Sequence, residues 1–354
     1  VGYTNNTNVG TATATITGAG NYTGTKAQNF TIVAKAASTL SIDAIANQTY
    51  TGAAISPTVV VKDGSTTLTL TTDYTVNYTN NTNVGTATVT ITGVGNYTGT
   101  KAQNFTIVGK AASTLSIDAI ASQTYTGAAI SPTVVVKDGS TTLILGTDYT
   151  VGYSNNTNVG TATVTITGVG NYTGTKAQTF VIVAKAASTL SIDAIANQTY
   201  TGAAISPTLV VKDGSTTLTL TTDYTVNYSN NTNVGTATVT ITGIGNYTGT
   251  TTQTFLIVAK AASTLSIDAI ANQTYTGAAL TPTVVVKDGS TTLTLTTDYT
   301  VGYSNNTNVG TATVTITGAG NYTGIKAQTF IIVAKAASTL SIDAIANQTY
   351  TGAA

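Results

Sequence analysis

The chain has 354 residues with 13 lysines, 13 aspartates, no arginine, glutamate, histidine, cysteine or methionine, and a formal net charge of zero. This composition excludes nucleic-acid binding, which needs a basic surface to displace counterions, and it excludes disulfides and thiolate metal sites. No apolar run approaches the roughly 18 residues that span a bilayer, so the segment contains no predicted membrane span.

One ten-residue sequence recurs along the chain at a fixed spacing. "VGTATVTITG" begins at Val84, Val159, Val234 and Val309, and the variant "VGTATATITG" begins at Val9, so the copies start 75 residues apart. A period of 75 exceeds the 20–50 residues of solenoid repeats and matches a small domain. The predicted organisation is a partial repeat 1–33, full repeats 34–108, 109–183, 184–258 and 259–333, and a partial repeat 334–354.

Alternation of apolar and threonine residues predicts about seven short strands in each repeat. Ala87, Val89 and Ile91 alternate with threonines, which is typical of a strand with one buried face. No useful helical period is present. In repeat 34–108 the predicted strands are roughly 39–43, 48–50, 57–62, 66–70, 73–79, 84–92 and 101–108.

The stretch "TVVVKDGSTTLTL" predicts a β-hairpin. We expect Asp63-Gly64 to form a two-residue type I′ turn, which pairs Val61 with Thr66 and Val59 with Leu68. This register keeps apolar residues on one face. Seven alternating strands with closely spaced turns then predict an antiparallel Greek-key β-sandwich.

The last strand of each repeat carries an outward-facing position that varies. Phe105 and Ile107 should face inward, so position 106 should face outward. The copies at this position read Thr31, Thr106, Val181, Leu256 and Ile331. Neutral drift on a β-strand is one explanation of this series, and the other is that an adjacent domain or another chain covers this face in a filament. The 7% charged content and zero net charge also favour self-association, along or between chains.

The segment from "YTGAAISPTVVVKDGSTTLTL" through "DYTVNY" and "GTATVTITG" to "GNYTG" resembles the bacterial immunoglobulin-like (Big/MBG-type) repeats of large surface-anchored or secreted proteins. The resemblance covers every full repeat. It implies an all-β tandem array of small immunoglobulin-like Greek-key β-sandwich domains that act as stalk or adhesin modules. It implies no catalytic residue.

Candidate sites are few. Without histidine, glutamate or arginine, hydroxyl nucleophiles lack a base, and Asp43, Asp63 and Asp73 are separated, with Asp63 assigned to its turn. The sequence therefore predicts no enzyme, no catalytic, cofactor-binding or metal-binding residue, and no cofactor. Lys35 and Lys62 are weak candidates for an isopeptide bond. Lys101 is a third, although repeat 184–258 has threonine at the equivalent position.

Three further sequence patterns suggest a function but also have a simple non-functional explanation. Asn47, Asn80 and Asn96 match the N-glycosylation pattern, which arises by chance in a chain rich in Asn and Thr. The threonine rows suggest ice binding, but sandwich strands are twisted. The tyrosines suggest a sugar-stacking platform, although two of them should face the core. They are Tyr50, Tyr74, Tyr78 and Tyr97.

These observations favour a structural extracellular or cell-surface repeat protein that forms a stalk, fibre or filament. The short junction "VAKAAST" has no Pro or Gly run and predicts limited bending between repeats. The alternative is a multivalent binding module, in which adhesin repeats hold a carbohydrate or protein ligand and repetition supplies avidity.

Overall fold

The computed structural model describes residues 1–352, so Ala353 and Ala354 of the predicted partial repeat 334–354 lie outside the described residues. Within these residues every regular element is a β-strand or a single turn of 3-10 helix, which confirms the all-β class. Helices long and apolar enough to span a membrane are absent from the same 352 residues. The chain divides into two compact units, the first ending at Val183 and the second beginning at Ala184.

The first unit opens with one antiparallel sheet and continues with two full copies of the repeat. The opening sheet contains β1 (Gly2–Thr4), β2 (Gly10–Thr17) and β3 (Thr25–Ile32). Repeat 34–108 contains β4 (Lys35–Ala36), a 3-10 turn (Ala37–Thr39), β5 (Ser41–Ile42), β6 (Gln48–Thr49), β7 (Val61–Asp63), β8 (Thr66–Thr67), β9 (Tyr74–Thr79), β10 (Gly85–Gly93), β11 (Tyr97–Thr98) and β12 (Thr100–Val108). Repeat 109–183 contains β13 (Lys110–Ala111), a 3-10 turn (Ala112–Thr114), β14 (Ser116–Ile117), β15 (Gln123–Thr124), β16 (Val136–Asp138), β17 (Thr141–Thr142), β18 (Tyr149–Ser154), β19 (Gly160–Gly168), β20 (Tyr172–Thr173) and β21 (Thr175–Val183).

The second unit has two full copies with the same elements and ends with a 3-10 turn at Ala337–Thr339. The first copy contains β22 (Lys185–Ala186), a 3-10 turn (Ala187–Thr189), β23 (Ser191–Ile192), β24 (Gln198–Thr199), β25 (Val211–Asp213), β26 (Thr216–Thr217), β27 (Tyr224–Ser229), β28 (Gly235–Gly243), β29 (Tyr247–Thr248) and β30 (Thr250–Val258). The second copy contains β31 (Lys260–Ala261), a 3-10 turn (Ala262–Thr264), β32 (Ser266–Ile267), β33 (Gln273–Thr274), β34 (Val286–Asp288), β35 (Thr291–Thr292), β36 (Tyr299–Ser304), β37 (Gly310–Gly318), β38 (Tyr322–Thr323) and β39 (Ile325–Val333).

Each full repeat is a two-sheet sandwich. In repeat 34–108 the large sheet has the order β6-β12-β10-β9, the small sheet has the order β5-β7-β8, and β4 pairs with β11. The chain crosses between the sheets from β6 to β7 and from β8 to β9, which gives Greek-key connectivity. The chain is therefore a tandem array of small immunoglobulin-like Greek-key β-sandwich domains.

Two strand pairs correct the expectation of a purely antiparallel sandwich. β6 pairs parallel with β12, and β4 pairs parallel with β11. Parallel neighbours need a long crossover rather than a hairpin. Here the small sheet and the hairpins of the large sheet supply that crossover, and pairs of two residues are too short to show in a sequence pattern.

The core lies between the two sheets and follows the predicted alternation. Ala87, Val89 and Ile91 of β10 are fully buried, while the threonines between them face outward. Val61 of β7 and Leu68, which follows β8, belong to the same buried cluster as Val89 and Ile91. Burying each of the larger aliphatic side chains stabilises the fold by about 1.5–3 kcal/mol.

The hairpin of the small sheet has a register one residue away from the predicted one. Lys62 pairs with Thr67 and Asp63 with Thr66, so the turn residues are Gly64-Ser65. The φ of Gly64 is +58° and that of Ser65 is not positive, which is the pattern of a type II′ turn. The predicted type I′ turn at Asp63-Gly64 is therefore wrong. Packing decides the register, because this one places Val61 opposite Leu68 on the buried face.

Most of the predicted strand 57–62 lies outside the regular strands, and two of its carbonyls accept hydrogen bonds from tyrosine side chains. The Tyr74 hydroxyl donates to the carbonyl of Val59 at 3.1 Å, and the Tyr78 hydroxyl donates to the carbonyl of Pro57. The regular strand begins only at Val61. Proline removes a ladder donor, so tyrosine side chains take the place of a neighbouring strand here.

Candidate functional site

The three aspartates of repeat 34–108 lie apart, and each is engaged by a neighbour within the repeat. The contacts are Lys62 Nζ to Asp43 Oδ2 at 2.7 Å, Lys35 Nζ to Asp63 Oδ1 at 2.5 Å, and the Thr69 N–H to Asp73 Oδ2 at 2.8 Å. Within residues 1–352 no three acidic side chains converge as metal ligands would. The candidate residues of the sequence therefore form structural contacts rather than one site.

Asp63 serves an ion pair rather than the turn to which the sequence assigned it. Its carboxylate accepts hydrogen bonds from Lys35 Nζ and, at 3.3 Å, from the Tyr97 hydroxyl. The hydrogen bond from Lys35 holds the pKa of Asp63 below its ordinary value, against the opposing effect of desolvation. This pair ties β4, at the start of the repeat, to the end of β7.

Lys101 makes hydrogen bonds to the backbone at one end of the sandwich. Its Nζ donates to two backbone carbonyls, that of Ser38 within the 3-10 turn and that of Leu40 directly after it. Where Thr251 replaces this lysine, the equivalent Leu190 is 8% exposed, against 1% for Leu115 in a lysine-containing copy. The lysine therefore covers one end of the core.

The side chain of one asparagine per repeat joins neighbouring repeats. Asn171, in repeat 109–183, accepts the Val84 N–H at 2.9 Å with its Oδ1 and donates from Nδ2 to Asn83 Oδ1 at 3.1 Å. Val84 and Asn83 belong to repeat 34–108. A single amide thus satisfies a backbone donor and a side-chain acceptor of its neighbour, across 87 and 88 residues of sequence.

The same contact occurs at two other places inside the two units. Asn96 Oδ1 accepts the N–H of Val9 at 2.8 Å, and in the second unit Asn321 Oδ1 accepts the N–H of Val234 at 2.9 Å. Each amide also donates to the preceding asparagine of the neighbour. Those contacts are Asn96 Nδ2 to Asn8 Oδ1 at 3.0 Å and Asn321 Nδ2 to Asn233 Oδ1 at 3.2 Å.

The turn before this asparagine needs a glycine. Gly170 has a φ of +63°, and a Cβ built there would lie 3.0 Å from the carbonyl oxygen of Thr147. Both the backbone conformation and the close approach favour glycine. The turn is closed by the Tyr172 N–H, which donates to the Val169 carbonyl at 3.1 Å. The turn therefore positions Asn171 and Tyr172 together at one end of the repeat.

Two tyrosines form the second half of the junction. The rings of Tyr50 and Tyr172 lie edge to face with centroids 5.6 Å apart, and those of Tyr200 and Tyr322 lie 5.5 Å apart. Tyr50 packs against the core of repeat 109–183. Its own position is fixed by its N–H, which donates to the Val108 carbonyl at 2.9 Å. Edge-to-face pairs contribute about 0.5–1.5 kcal/mol beyond their buried area.

The first full repeat shows what the tyrosine contact covers. Residues 1–33 contain no counterpart of Tyr50, and Tyr97 is only half-buried, whereas Tyr172 is 6% exposed. The ion pair beneath follows the same trend. The side-chain exposures are 51% and 25% for Lys35 and Asp63, and 28% and 16% for Lys110 and Asp138. A neighbour's tyrosine therefore shields the ion pair of the repeat on which it packs.

Burial changes the acidity of the junction phenol. Tyr172 donates to Asp138 Oδ2 at 3.3 Å. Desolvation, and then the negative charge of Asp138, raise the pKa of Tyr172 far above its ordinary value of 10.0. The pKa of Tyr322 is raised in the same way beside Asp288. These phenols stay neutral and remain hydrogen-bond donors over the physiological pH range.

The tyrosines do not form one sugar-stacking surface. Tyr74 is 4% exposed in the core and Tyr78 contributes to it, as the alternation predicted, while Tyr50 packs on the next repeat. Of the glycosylation motifs, Asn96 is engaged at the junction, and Asn47 and Asn80 are exposed.

Sequence reasoning did not identify the junction residues. The motif "GNYTG" indicated a turn and an acceptor asparagine, and nothing in it distinguishes an asparagine that faces solvent from one that faces a neighbour. The strict 75-residue spacing and the short junction "VAKAAST" are the sequence signals that neighbours lie close. They do not name the atoms in contact.

Position 106 and its equivalents are exposed at the sheet surface. Val181, Leu256 and Ile331 are 46%, 43% and 42% exposed. The expectation that an adjacent domain covers these side chains is therefore wrong for these three residues. Coverage by another chain remains a prediction.

No protein-family model and no curated protein sequence matches the chain. Similar solved structures include domains 1–6 of the surface-layer protein SbsC, 18% identical, covering 74% of this chain and 48% of that one with a TM-score of 0.20. Others are protocadherin gammaB7 EC3-6, determined as a cis-dimer (11% identity, 70% and 84% coverage, TM-score 0.20), and PcdhgB3 EC1-4 (11%, 72% and 83%, TM-score 0.18). The chain spans about half the length of the SbsC structure. The immunoglobulin-like architecture follows from the strand pairing described above.

Proposed function

We propose that the chain is a structural extracellular or cell-surface repeat protein that forms a stalk, fibre or filament, with 34–108, 109–183, 184–258 and 259–333 as its folded repeats. The junction contact carries this proposal. The same asparagine and tyrosine atoms join neighbours in both units, so the repeats present matching ends to one another.

The junction supports a mechanical role because it combines a very short linker with directional contacts. Only Gly109 separates β12 from β13, and only Ala259 separates β30 from β31. Each junction hydrogen bond contributes about 0.5–1.5 kcal/mol net. The linker already holds the two ends together, so these small energies act on orientation rather than on association.

The chemistry of the chain supports the same role. In the four full repeats the aspartates and lysines are engaged in structural contacts, and the residue types that act as general bases or metal ligands are scarce. We therefore propose no enzymatic activity and no cofactor. The resemblance to bacterial immunoglobulin-like repeats agrees with a surface location.

Surface display and ligand binding can be tested together. Antibodies raised against the purified chain should label intact, unpermeabilised cells of the source or the material that they shed, and labelling only after permeabilisation would contradict the proposal. The purified chain should bind no glycan above background on an array. Saturable binding to one glycan class would instead favour the multivalent binding module.

A further inference from the structure

The large sheet of every full repeat ends in a strand with one unpaired edge. β9 lies last in the order β6-β12-β10-β9, and β18, β27 and β36 have the same place in their sheets. Beyond this edge the sheet ladder continues only through one isolated bridge, between Leu70 and Tyr74 in repeat 34–108. The rest of the strand is free to accept a further strand.

The backbone groups at this edge can be assigned from one hydrogen bond. The Thr71 N–H donates to the Tyr74 carbonyl at 2.7 Å, so the N–H and C=O of Tyr74 point away from β10. In an antiparallel pair the side to which these groups point alternates from residue to residue. Val76 and Tyr78 therefore present their N–H and C=O groups at the open edge.

A groove lies beside this edge in repeat 259–333. It has a volume of about 700 Å³, and Val301 and Tyr303 of β36 line one side while Pro282 and Leu295 line the other. The remaining lining residues are threonine, valine, leucine and tyrosine, and none is charged. An uncharged groove next to free backbone donors and acceptors fits an extended, uncharged strand.

The edge also lacks the features that keep sheet edges from pairing. Monomeric proteins protect such edges with lysine, proline, inward-pointing charges or bulges. β9 reads "YTVNYT", and the other three edges read "YTVGYS", "YTVNYS" and "YTVGYS", with no charge and no proline. The chain as a whole has a net charge of zero, so two copies do not repel each other.

We propose that this edge binds the same edge of a second copy of the chain. In an antiparallel pairing about a two-fold axis at Asn77, Val76 lies opposite Tyr78 of the second copy and Tyr78 lies opposite its Val76. Both residues have outward-pointing backbone groups, so the register forms two hydrogen-bonded pairs and places the two Asn77 residues face to face. Four such edges per chain add avidity when more than one engages.

This inference names a second copy of the chain as the partner in the proposed filament, and its biological meaning rests on that proposed function. Whether the edges pair can be measured independently of it. Failure of edge pairing leaves the surface labelling and the end-to-end junction unchanged, whereas failure of surface labelling leaves edge pairing measurable.

The test places a charge, in the full chain, at the residue that would face its own counterpart in the second copy. Lysine replaces Asn77, Gly152, Asn227 and Gly302 together, and like charges directly opposite each other destabilise a strand pair. A Cβ at Gly152 or Gly302 meets nothing closer than 4.0 Å, so the fold accommodates the change. We expect wild-type chain to associate with rising concentration in sedimentation velocity, and the edge variant to remain monomeric with an unchanged circular dichroism spectrum.

Two matched variants sharpen the test. Lysine at Thr90, Thr165, Thr240 and Thr315 puts the same charge on the same face one strand away, at the residues paired with the edge positions, and should leave association intact. An Asp variant at the four edge positions should be monomeric alone and should associate when mixed with the Lys variant.

A measurement on unmodified chain completes the test. The amide protons of Val76 and Tyr78 should exchange more slowly as the concentration rises. Edge pairing is contradicted if wild-type chain stays monomeric, if the edge variant associates normally, if the control variant dissociates equally, if the Lys and Asp variants do not associate on mixing, or if exchange at these amides is independent of concentration.

Discussion

At the residue scale, each junction depends on one amide side chain. Asn171 satisfies the Val84 N–H and the Asn83 side chain at once, and its position follows from the glycine turn that precedes it. An alanine keeps the turn but removes both hydrogen bonds. The effect should therefore appear at the neighbouring repeat rather than in the repeat that carries the change.

We expect Asn171→Ala to increase hydrogen exchange of the Val84 amide about fivefold, because a net hydrogen bond contributes about 1 kcal/mol. Exchange can be followed residue by residue by NMR or mass spectrometry. The control is Asn104→Ala, which removes a contact to Thr88 inside one repeat and should leave the Val84 amide unchanged. Equal exchange at Val84 in wild type and Asn171→Ala would show that the junction is not formed in solution.

The junction phenols predict a loss of stability at alkaline pH. Burial raises the pKa of Tyr172 and Tyr322 in the folded state, while the unfolded chain ionises near the ordinary value of 10.0. The stabilisation is therefore fully present below about pH 10 and falls as the pH rises further. Thermal melts across this range should show a falling Tm. Replacing both residues with Phe should make the fall smaller, and an identical fall would contradict the assignment.

At the element scale, one lysine closes the end of the sandwich in three of the four full repeats. Lys176 donates to the carbonyls of Leu115 and Ser113, and Lys326 makes the equivalent contacts. Repeat 184–258 has Thr251 at this position, and its Leu190 is more exposed. This repeat offers the acceptors without the donor.

Thr251→Lys should therefore stabilise repeat 184–258 by about 1 kcal/mol, within the range of a hydrogen bond from a charged donor at a partly exposed site. Chemical denaturation of the full chain monitored by hydrogen exchange in this repeat measures the change. Lys176→Thr is the reciprocal variant and should destabilise repeat 109–183 by a similar amount. If Thr251→Lys does not stabilise its repeat and Lys176→Thr does not destabilise its own, the lysine contact contributes nothing to the free energy of unfolding.

The longer strands were predictable from the sequence, and the shortest elements were not. Strands 73–79, 84–92 and 101–108 correspond to β9, β10 and β12, because alternation over six or more residues defines which face is buried. β4 and β11 have two residues each and carry no period. The turn at Gly64-Ser65 differs by one residue, because packing of Val61 against Leu68 outweighs the local turn preference.

The site was less predictable than the fold for a physical reason. In the sequence Asn96 looks like a polar surface residue and Tyr50 like an aromatic surface residue. The partners of both lie in a neighbouring repeat. Contacts of this kind depend on how two folded domains pack against each other. The structure leaves one residue between the strands at the junction, and no sequence pattern identifies the two surfaces that come into contact.

At the scale of the whole molecule, the proposal is that junctions fix the orientation of successive repeats. The absence of cysteine in the chain permits clean placement of a spin-label pair. Ser65 and Ser140 are exposed at equivalent hairpin turns of repeats 34–108 and 109–183, so Ser65→Cys and Ser140→Cys disturb neither core nor junction.

The most direct test is the distance distribution between these two labels, measured by double electron–electron resonance. A junction that fixes orientation predicts one narrow peak, and Asn171→Ala combined with Tyr50→Ala should broaden it while the strand content stays unchanged. A broad distribution in the otherwise unmodified chain, identical to that of the junction variant, would contradict the account that matching ends hold the repeats in a structural array.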